Sequence, residues 1–224
     1  MERISEFRTG MNTHTRSASA VATLDAPAAL PELAGHRLAL RELRASDAPA
    51  LFSLLTAHEV ARFISEPPSS VAGFERFIAN TSTRDRGPSR QICFAIVLPG
   101  EESPVGIIQI RELEANFRTA EWGFALGSAY WGTGIFSEAA SLALEFIFGR
   151  LGVHRLEARA ALRNGRGGRA LQKLGAVPEG VLRKAFLKDG EYLDQVLYAI
   201  VDEDWRASRE VHQVAPSASS MRVH

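Results

Sequence analysis

Between residues 119 and 148 the hydrophobic period changes from two to about 3.6 across a glycine-marked turn, which limits the chain to folds where a strand feeds directly into a long helix. Along residues 120–126, Ala120, Trp122, Phe124 and Leu126 fall on one face, and Glu121, Gly123 and Ala125 on the other. From residue 135 to 148, Ile135, Phe136, Ala139, Leu142, Ala143, Phe146 and Ile147 recur at helical spacing, with Gly149 and Gly152 marking the exit. The link between the two is Trp131-Gly132-Thr133-Gly134-Ile135, followed by Ser137-Glu138 in the first helical turn.

Two glycines in that link allow backbone conformations barred to other residues and let a ligand approach the main chain closely. A helix start presents up to four unpaired N–H groups and roughly half a positive charge, so a phosphate or diphosphate can be held there by main chain alone. The plainer reading is a strand-to-helix turn that uses glycine only for its geometry, and a G-x-G spacing by itself does not decide between them. A P-loop would need a Gly-Lys-Ser/Thr ending, which is absent. A dinucleotide-binding turn would need a third glycine, which Ile135 to Ser137 do not supply.

Elsewhere, residues 36–43 alternate as a strand does, and Ser46 and Asp47 are placed to cap a helix through Leu51, Phe52 and Leu55. A second helix is expected over residues 71–80, then strands over 92–98, 105–113 and 120–126 in an antiparallel meander. After the long helix come a strand over 154–160, a short helix over 166–174 closed by Gly175, and two strands over 181–187 and 192–201. The Asp189-Gly190 pair between the last two is a strong hairpin signal. The order predicts a mixed α/β (α+β) domain over residues 35–205, between a flexible leader (1–34) and a flexible tail (206–224) rich in Ala and Ser.

Lys plus Arg and Asp plus Glu both number 26, so no strong basic surface points to nucleic acid. No apolar run approaches the roughly 20 residues needed to span a bilayer, and the first 30 residues contain no apolar signal core. The single cysteine, Cys93, sits in an apolar strand, as expected of a buried thiol in a reducing compartment, and the protein is expected to be cytoplasmic. No Cys/His or paired-carboxylate spacing suggests a metal site.

Taken in order, Ala120-Glu121-Trp122-Gly123-Phe124, Tyr130-Trp131-Gly132-Thr133-Gly134 with Ser137-Glu138-Ala139, His154-Arg155-Leu156-Glu157-Ala158-Arg159, Asn164, and Lys173-Leu174-Gly175-Ala176 form a specific set. With the ending Asp189-Gly190-Glu191-Tyr192-Leu193-Asp194, the set resembles the GCN5-related N-acetyltransferases (GNAT), and most closely their RimJ/RimL-like branch, over roughly residues 36–203. The resemblance implies a three-layer fold: a mostly antiparallel mixed sheet of about seven strands, helices on both faces, and a splay between the fourth and fifth strands. It implies acetyl-coenzyme A as co-substrate, with the diphosphate wrapped by Trp131, Gly132, Thr133, Gly134, Ile135, Phe136 and Ser137, and the pantetheine arm paired along Phe124, Ala125 and Leu126. Asn164 matches an asparagine that contacts the cofactor arm, although an asparagine there also caps a helix. Two positions depart from the pattern. Phe136 stands where a small residue is common, and Gly167 stands where the branch often carries a serine proposed to protonate the departing thiolate.

An amine must be neutral to attack a thioester, so a base near the thioester is expected, and Glu121 and Glu157 are the candidates for catalytic roles. Each can also be read as an ordinary charge paired with Arg155, Arg159 or another arginine. Asp194 is the candidate for substrate binding, or else a partner for hairpin backbone. His154 is read as a strand-start residue, and Arg163, Arg166 and Arg169 as a basic cluster beside Asn164. The expected activity is acetyl transfer to a primary amine, either a protein N-terminus or a small molecule, by direct attack in a ternary complex of a monomer or homodimer. The alternative is a non-catalytic domain that binds acyl-coenzyme A as a sensor.

Overall fold

Strict alternation divides the centre of the chain between two cores. Ile92, Phe94 and Ile96 enter one hydrophobic cluster with Ile108, Ile110 and Trp122, whereas Cys93 and Ala95 enter a second with Ile107 and Ala125. A sheet apolar on both faces must be covered on both, and this one is. The computed structural model describes residues 30–82 and 90–214. Among them are strands β1 (Leu33–Ala34) and β2 (Ala39–Glu42), helices α1 (Ala48–Thr56), α2 (His58–Ala61) and α3 (Val71–Ser82), and the meander β3 (Gln91–Val97), β4 (Gly106–Glu112) and β5 (Thr119–Leu126). Helix α4 (Ile135–Leu144) follows, then β6 (Arg155–Ala161), α5 (Gly165–Lys173), the hairpin β7 (Val177–Lys188) and β8 (Glu191–Val201), and α6 (Asp202–Val214).

The strands form one sheet in the order β1-β2-β3-β4-β5-β6-β8-β7, antiparallel except for the β5–β6 pair. The eighth strand, beyond the seven expected, is the two-residue β1 that pairs with β2. It is too short for any period to reveal. Helices α1 to α3 pack Leu51, Leu55, Val60, Phe74 and Ile78 on one face. On the other, α4 lays Ala139, Ala140 and Ala143 against the sheet, where small side chains permit close approach, and Phe146 meets Phe94 edge-on at 5.2 Å.

Two departures in the helices have physical causes. The long helix does not stay α-helical to Phe148: residues Glu145–Arg150 wind as a π-helix, with the Leu151 N–H donating to Phe146 O. The C-terminal helix runs to Val214, past the Trp205 boundary expected for a tail, because Trp205 stacks on Phe148 at 5.2 Å and ties the helix to the core. Of the expected leader over 1–34, residues 1–29 lie outside the described residues, as do residues 215–224, while Leu33–Ala34 at its end form β1 by pairing with β2 instead of staying flexible. The Asp189-Gly190 turn is as expected, with φ of 50° and 78° closing the Lys188↔Glu191 pair.

Asp47 does not cap α1 with its side chain. Its carboxylate instead accepts from both terminal nitrogens of Arg41 at 2.8 Å and from the Arg44 N–H at 2.8 Å, in a pair whose side chains are 9% and 3% exposed. Removing one member of a buried pair strands the other charge. Asp47→Ala is expected to cost about 3–5 kcal/mol, read from the urea midpoint at unchanged slope.

Candidate functional site

Parallel pairing of β5 with β6 stops after three rungs, Thr119↔Arg155, Ala120↔Leu156 and Glu121↔Glu157. Their other neighbours stay in register: β5 follows β4 to Leu126, and β6 follows β8 to Ala161. The sheet is therefore open as a V from Trp122 and Ala158 onward, leaving facing backbone groups of both strands without a strand partner.

Two clefts meet at this gap. The smaller, about 610 Å³, is bounded by Trp131, Gly132, Gly134, Phe136 and Ser137 at the start of α4, by α2 and the loop after it, and by the α5 end with Arg163, Arg166, Arg169 and Lys173. The larger, about 860 Å³, runs between the α2–α3 loop, Phe74 and Phe77 of α3, the β4–β5 face with Gln109, Arg111 and Glu121, and Phe186 and Gln195 of the last hairpin. Phe63, Ile64, Phe124, Ala125, Asn164 and Gly167 line both, so the clefts join where the strands part.

The turn into α4 has the shape an anion needs. Gly132 and Gly134 adopt φ of 77° and 87°, left-handed values that L side chains avoid, and Gly134 is the N-cap with no side chain to offer the first-turn amides. Thr133 and Ile135 are not part of the cleft wall. The Thr133 hydroxyl donates to Tyr130 O at 2.7 Å and accepts from the Ile135 N–H at 3.4 Å, while the Ile135 side chain is buried. These two residues shape the turn, and the others face the cleft. The indole of Trp131 donates to Leu126 O at 2.9 Å, so that carbonyl already has a partner, and Leu126 joins Phe124 and Ala125 on the wall. The Arg166 guanidinium lies 3.8 Å from the Trp131 ring centroid, across the mouth of the smaller cleft. Phe136 occupies its unusual position by packing at a tilt against Phe124, with ring centroids 4.2 Å apart.

Asn164 proves to be the N-cap of α5: its Oδ1 accepts from the Gly167 N–H at 2.9 Å. Both readings of this residue fit its position, since it also lines both clefts. The cap explains Gly167. A Cβ there would sit 2.6 Å from Asn164 Nδ2, so a serine would have to displace the capping carboxamide.

The two glutamates are separated by the structure. Glu121 lines the larger cleft and is held by Arg111 and by Arg159, the latter at 2.8 Å. Glu157 lines neither cleft. It accepts from Arg155 at 2.9 Å and lies 3.7 Å from Arg159. Asp194 is likewise off both walls, where its Oδ1 accepts from the N–H of Lys184, a residue with φ of 55° at the bulge in β7. The residue beside it, Gln195, is the one that reaches the cleft. Cys93 is buried, and burial pushes its thiol above the ordinary range, which removes it as an acyl carrier. His154 Nδ1 lies 2.9 Å from Asp202 Oδ1, tying the start of β6 to α6. Among the described residues no group of three or more His, Cys, Asp or Glu could hold a metal, and no helix is long and apolar enough to cross a membrane.

Sequence reasoning missed Phe63, Phe74, Phe77 and Phe186 on the larger cleft, because an aromatic at helical or strand spacing reads as core. It also missed Arg111, whose place opposite Glu121 in the β4–β5 register was available from the meander. Arg37 was missed as well. It donates to Thr133 O at 3.0 Å and to Glu138, across 96 and 101 residues.

A family model described as the acetyltransferase (GNAT) domain matches residues 37–177, more than half of the chain. The chain belongs to the GNAT acetyltransferase family. It is an enzyme, an N-acetyltransferase of RimJ-like type. The GNAT chain is 27% identical over 169 residues to the uncharacterized N-acetyltransferase YnaD of Bacillus subtilis (strain 168), covering 75% of this chain and 96% of that one. It is 28% identical over 117 residues to the [ribosomal protein uS5]-alanine N-acetyltransferase of Escherichia coli (strain K12), covering 52% and 60%. Among solved structures, Mycobacterium smegmatis RimJ in complex with CoA-disulfide superposes with a TM-score of 0.69 at 26% identity, covering 79% of this chain and 88% of that one.

In this GNAT enzyme the Asn164 cap and the bare Gly167 Cα form one unit. Gly167→Ser is expected to lower stability by about 1 kcal/mol through loss of the cap, measured by thermal melting, without raising turnover. A faster enzyme at unchanged melting temperature would show that the serine fits beside Asn164.

Proposed function

We propose that this enzyme transfers the acetyl group of acetyl-coenzyme A to the α-amine of a protein N-terminus. The reading is carried by the junction of the two clefts at the parted strands. That junction gives a thioester one route in from the α4 start and an amine another from the aromatic cleft.

The residues present fit the donor. The first-turn amides of α4 at Phe136 and Ser137, with the left-handed Gly132 and Gly134, suit a diphosphate. The cationic wall of Arg163, Arg166, Arg169 and Lys173 complements its charge. Beyond Glu121, the free edge of β5 suits an amide-bearing arm that binds as an added strand. A β5 N–H aimed at the thioester oxygen would also stabilise the charge that develops there.

The chemistry is direct. The amine nitrogen bonds to the thioester carbonyl carbon, the C–S bond breaks, the sulfur leaves as thiolate, and the nitrogen gives up a proton. A thiol of pKa about 8.5 takes a proton from solvent at pH 7 with about 2 kcal/mol in favour, so no serine is needed at Gly167. The nitrogen's proton goes through water to Glu121, whose carboxylate keeps accepting capacity beyond its arginine bonds. Glu157 steadies Arg159, and Asp194 steadies the β7 bulge.

The α-amine is preferred on two grounds. At pH 7 an α-amine of pKa about 7.7–8.0 pays about 1 kcal/mol to be neutral, against about 4.6 kcal/mol for a lysine-like amine of pKa about 10.4. The E. coli relative is also named for acetylating an alanine of a ribosomal protein. Nothing in the clefts favours the sensor alternative, which predicts binding without turnover.

A thiol-release assay of acetyl-coenzyme A against peptides with free N-termini, small amines and polyamines tests this, with peptides expected to be the best acceptors. Absence of thiol release with every acceptor, alongside measurable coenzyme A binding, would instead establish the sensor. Glu121→Gln is expected to lower kcat roughly 10²-fold while Glu157→Gln stays within about threefold. Equal losses in the two would remove the distinction drawn from the cleft walls. Gly134→Val, forced to φ of 87°, is expected to raise the Kd for coenzyme A by at least about tenfold in calorimetry.

A further inference from the structure

Arg37, just ahead of β2, lies beside the α4 turn without lining either cleft. Its backbone N–H donates to Glu138 Oε1 at 2.8 Å, its Nε to Glu138 Oε2 at 2.9 Å, and its Nη1 to Thr133 O at 3.0 Å. The same guanidinium crosses directly over Gly134: a Cβ there would sit 2.9 Å from Nη2. One side chain therefore holds the last carbonyl of the turn and the only acid in the first turn of α4.

The direction of the Thr133 bond matters. The structure contains no cis peptide among the described residues, and in a trans peptide C=O and N–H point in opposite senses. With Thr133 O turned to Arg37, the N–H of Gly134 is turned away from Arg37, on the side where Gly134 forms the cleft wall. Without a clamp, the Thr133–Gly134 peptide has on its C-terminal side a glycine, whose φ of 87° is not confined as an L residue's is, and rotation of that peptide would aim the carbonyl at the anion instead of the amide.

Glu138 is the second part. An anion in the first turn competes with a bound phosphate for the positive end of the helix. Hydrogen bonds from the backbone and side chain of Arg37 hold its carboxyl below the ordinary range, so it is anionic at neutral pH, and the guanidinium offsets that charge where it stands. As an ion pair with Arg37 48% exposed, the contact adds little to stability.

From these contacts we infer that Arg37 is a positioning residue for donor binding: it fixes the Thr133–Gly134 peptide with its N–H toward the diphosphate and offsets the charge of Glu138. The inference rests on the proposed function, in that the anion held at the turn is the diphosphate of coenzyme A. Lysine cannot replace it fully, because one ammonium does not supply the two-pronged bond to Glu138 and Thr133 O together.

Steady-state kinetics with two donors, acetyl-coenzyme A and S-acetylpantetheine, tests it, since only the first carries a diphosphate. Arg37→Ala is expected to raise the KM for acetyl-coenzyme A about tenfold with kcat within about twofold, to leave the KM for S-acetylpantetheine unchanged, and to keep the melting temperature within about 2 °C. Arg37→Lys is expected to fall between Ala and the parent. A rise in KM equal for both donors, or none for either, overturns the positioning role while leaving acetyl transfer intact. A parent enzyme that neither binds coenzyme A nor releases thiol overturns both readings, and calorimetry on the unsubstituted protein separates the two failures.

Discussion

The separation of β5 from β6 after a single parallel run of three rungs is the constraint on which the rest of the site depends. A buried backbone group without a partner costs about 1–3 kcal/mol, so a sheet opens in its middle only where something else holds the rungs on either side. Here the holding is visible on both flanks. Strand β4 pairs with β5 over seven residues, from Gly106↔Leu126 to Glu112↔Ala120, and β8 pairs with β6 over seven, from Arg155↔Val201 to Ala161↔Gln195. The vertex itself is cross-tied. Arg159 on β6 reaches Glu121 on β5 at 2.8 Å and Glu157 on its own strand at 3.7 Å, directly at the last rung. These ion pairs thus tie the two strands at the point of divergence itself, whereas isolated surface pairs are worth little.

The two arms of the V are then furnished differently. At the wide end, the α4 start provides main-chain amides on a helix terminus, and the arginines of the α5 end provide positive charge. Towards α3 and the last hairpin the walls become aromatic, with Phe63, Phe74, Phe77 and Phe186, and the charged groups there already have partners: Arg111 and Arg159 on Glu121, and Lys188 on Glu66. The polar, cationic cleft and the aromatic one are kept apart, and only Phe124, Ala125, Asn164, Gly167 and the α2–α3 loop residues Phe63 and Ile64 face both.

How much of this was legible in the sequence follows from the range over which each feature is determined. Strand and helix periods are local, and they located the meander, α4, α5 and the hairpin to within a few residues. The glycine turn was legible because the left-handed φ of Gly132 and Gly134 is required by the turn itself. The π-helical winding at Glu145–Arg150 was not, since the side-chain period is the same on both sides of its start and the change is set by packing. Asp47 misled because a helix-capping aspartate and a buried partner for Arg41 share one local pattern. Two failures at the site are long-range: which glutamate faces a cleft depends on the order β5-β6-β8, and the Arg37–Glu138 contact spans 101 residues. The family resemblance supplied the splay, which no single-chain period encodes.

The composition of the site also indicates which part of the rate the protein has to supply. A positioned base contributes about 10²–10⁴-fold, or about 3–5 kcal/mol, whereas holding two reactants in attack geometry can contribute about 7–11 kcal/mol. In this chain the position that the family resemblance gives to an acid is the bare Gly167, and Glu121, on the wall of the larger cleft, is shared between two arginines. By contrast, the positioning elements are fully developed: a clamped turn, a capped α5 and an open strand edge of fixed length. An acceptor that is already partly neutral and a thiol that leaves readily demand little proton chemistry. Under the proposed function, a site poor in acids and bases then suffices for a direct transfer between such partners.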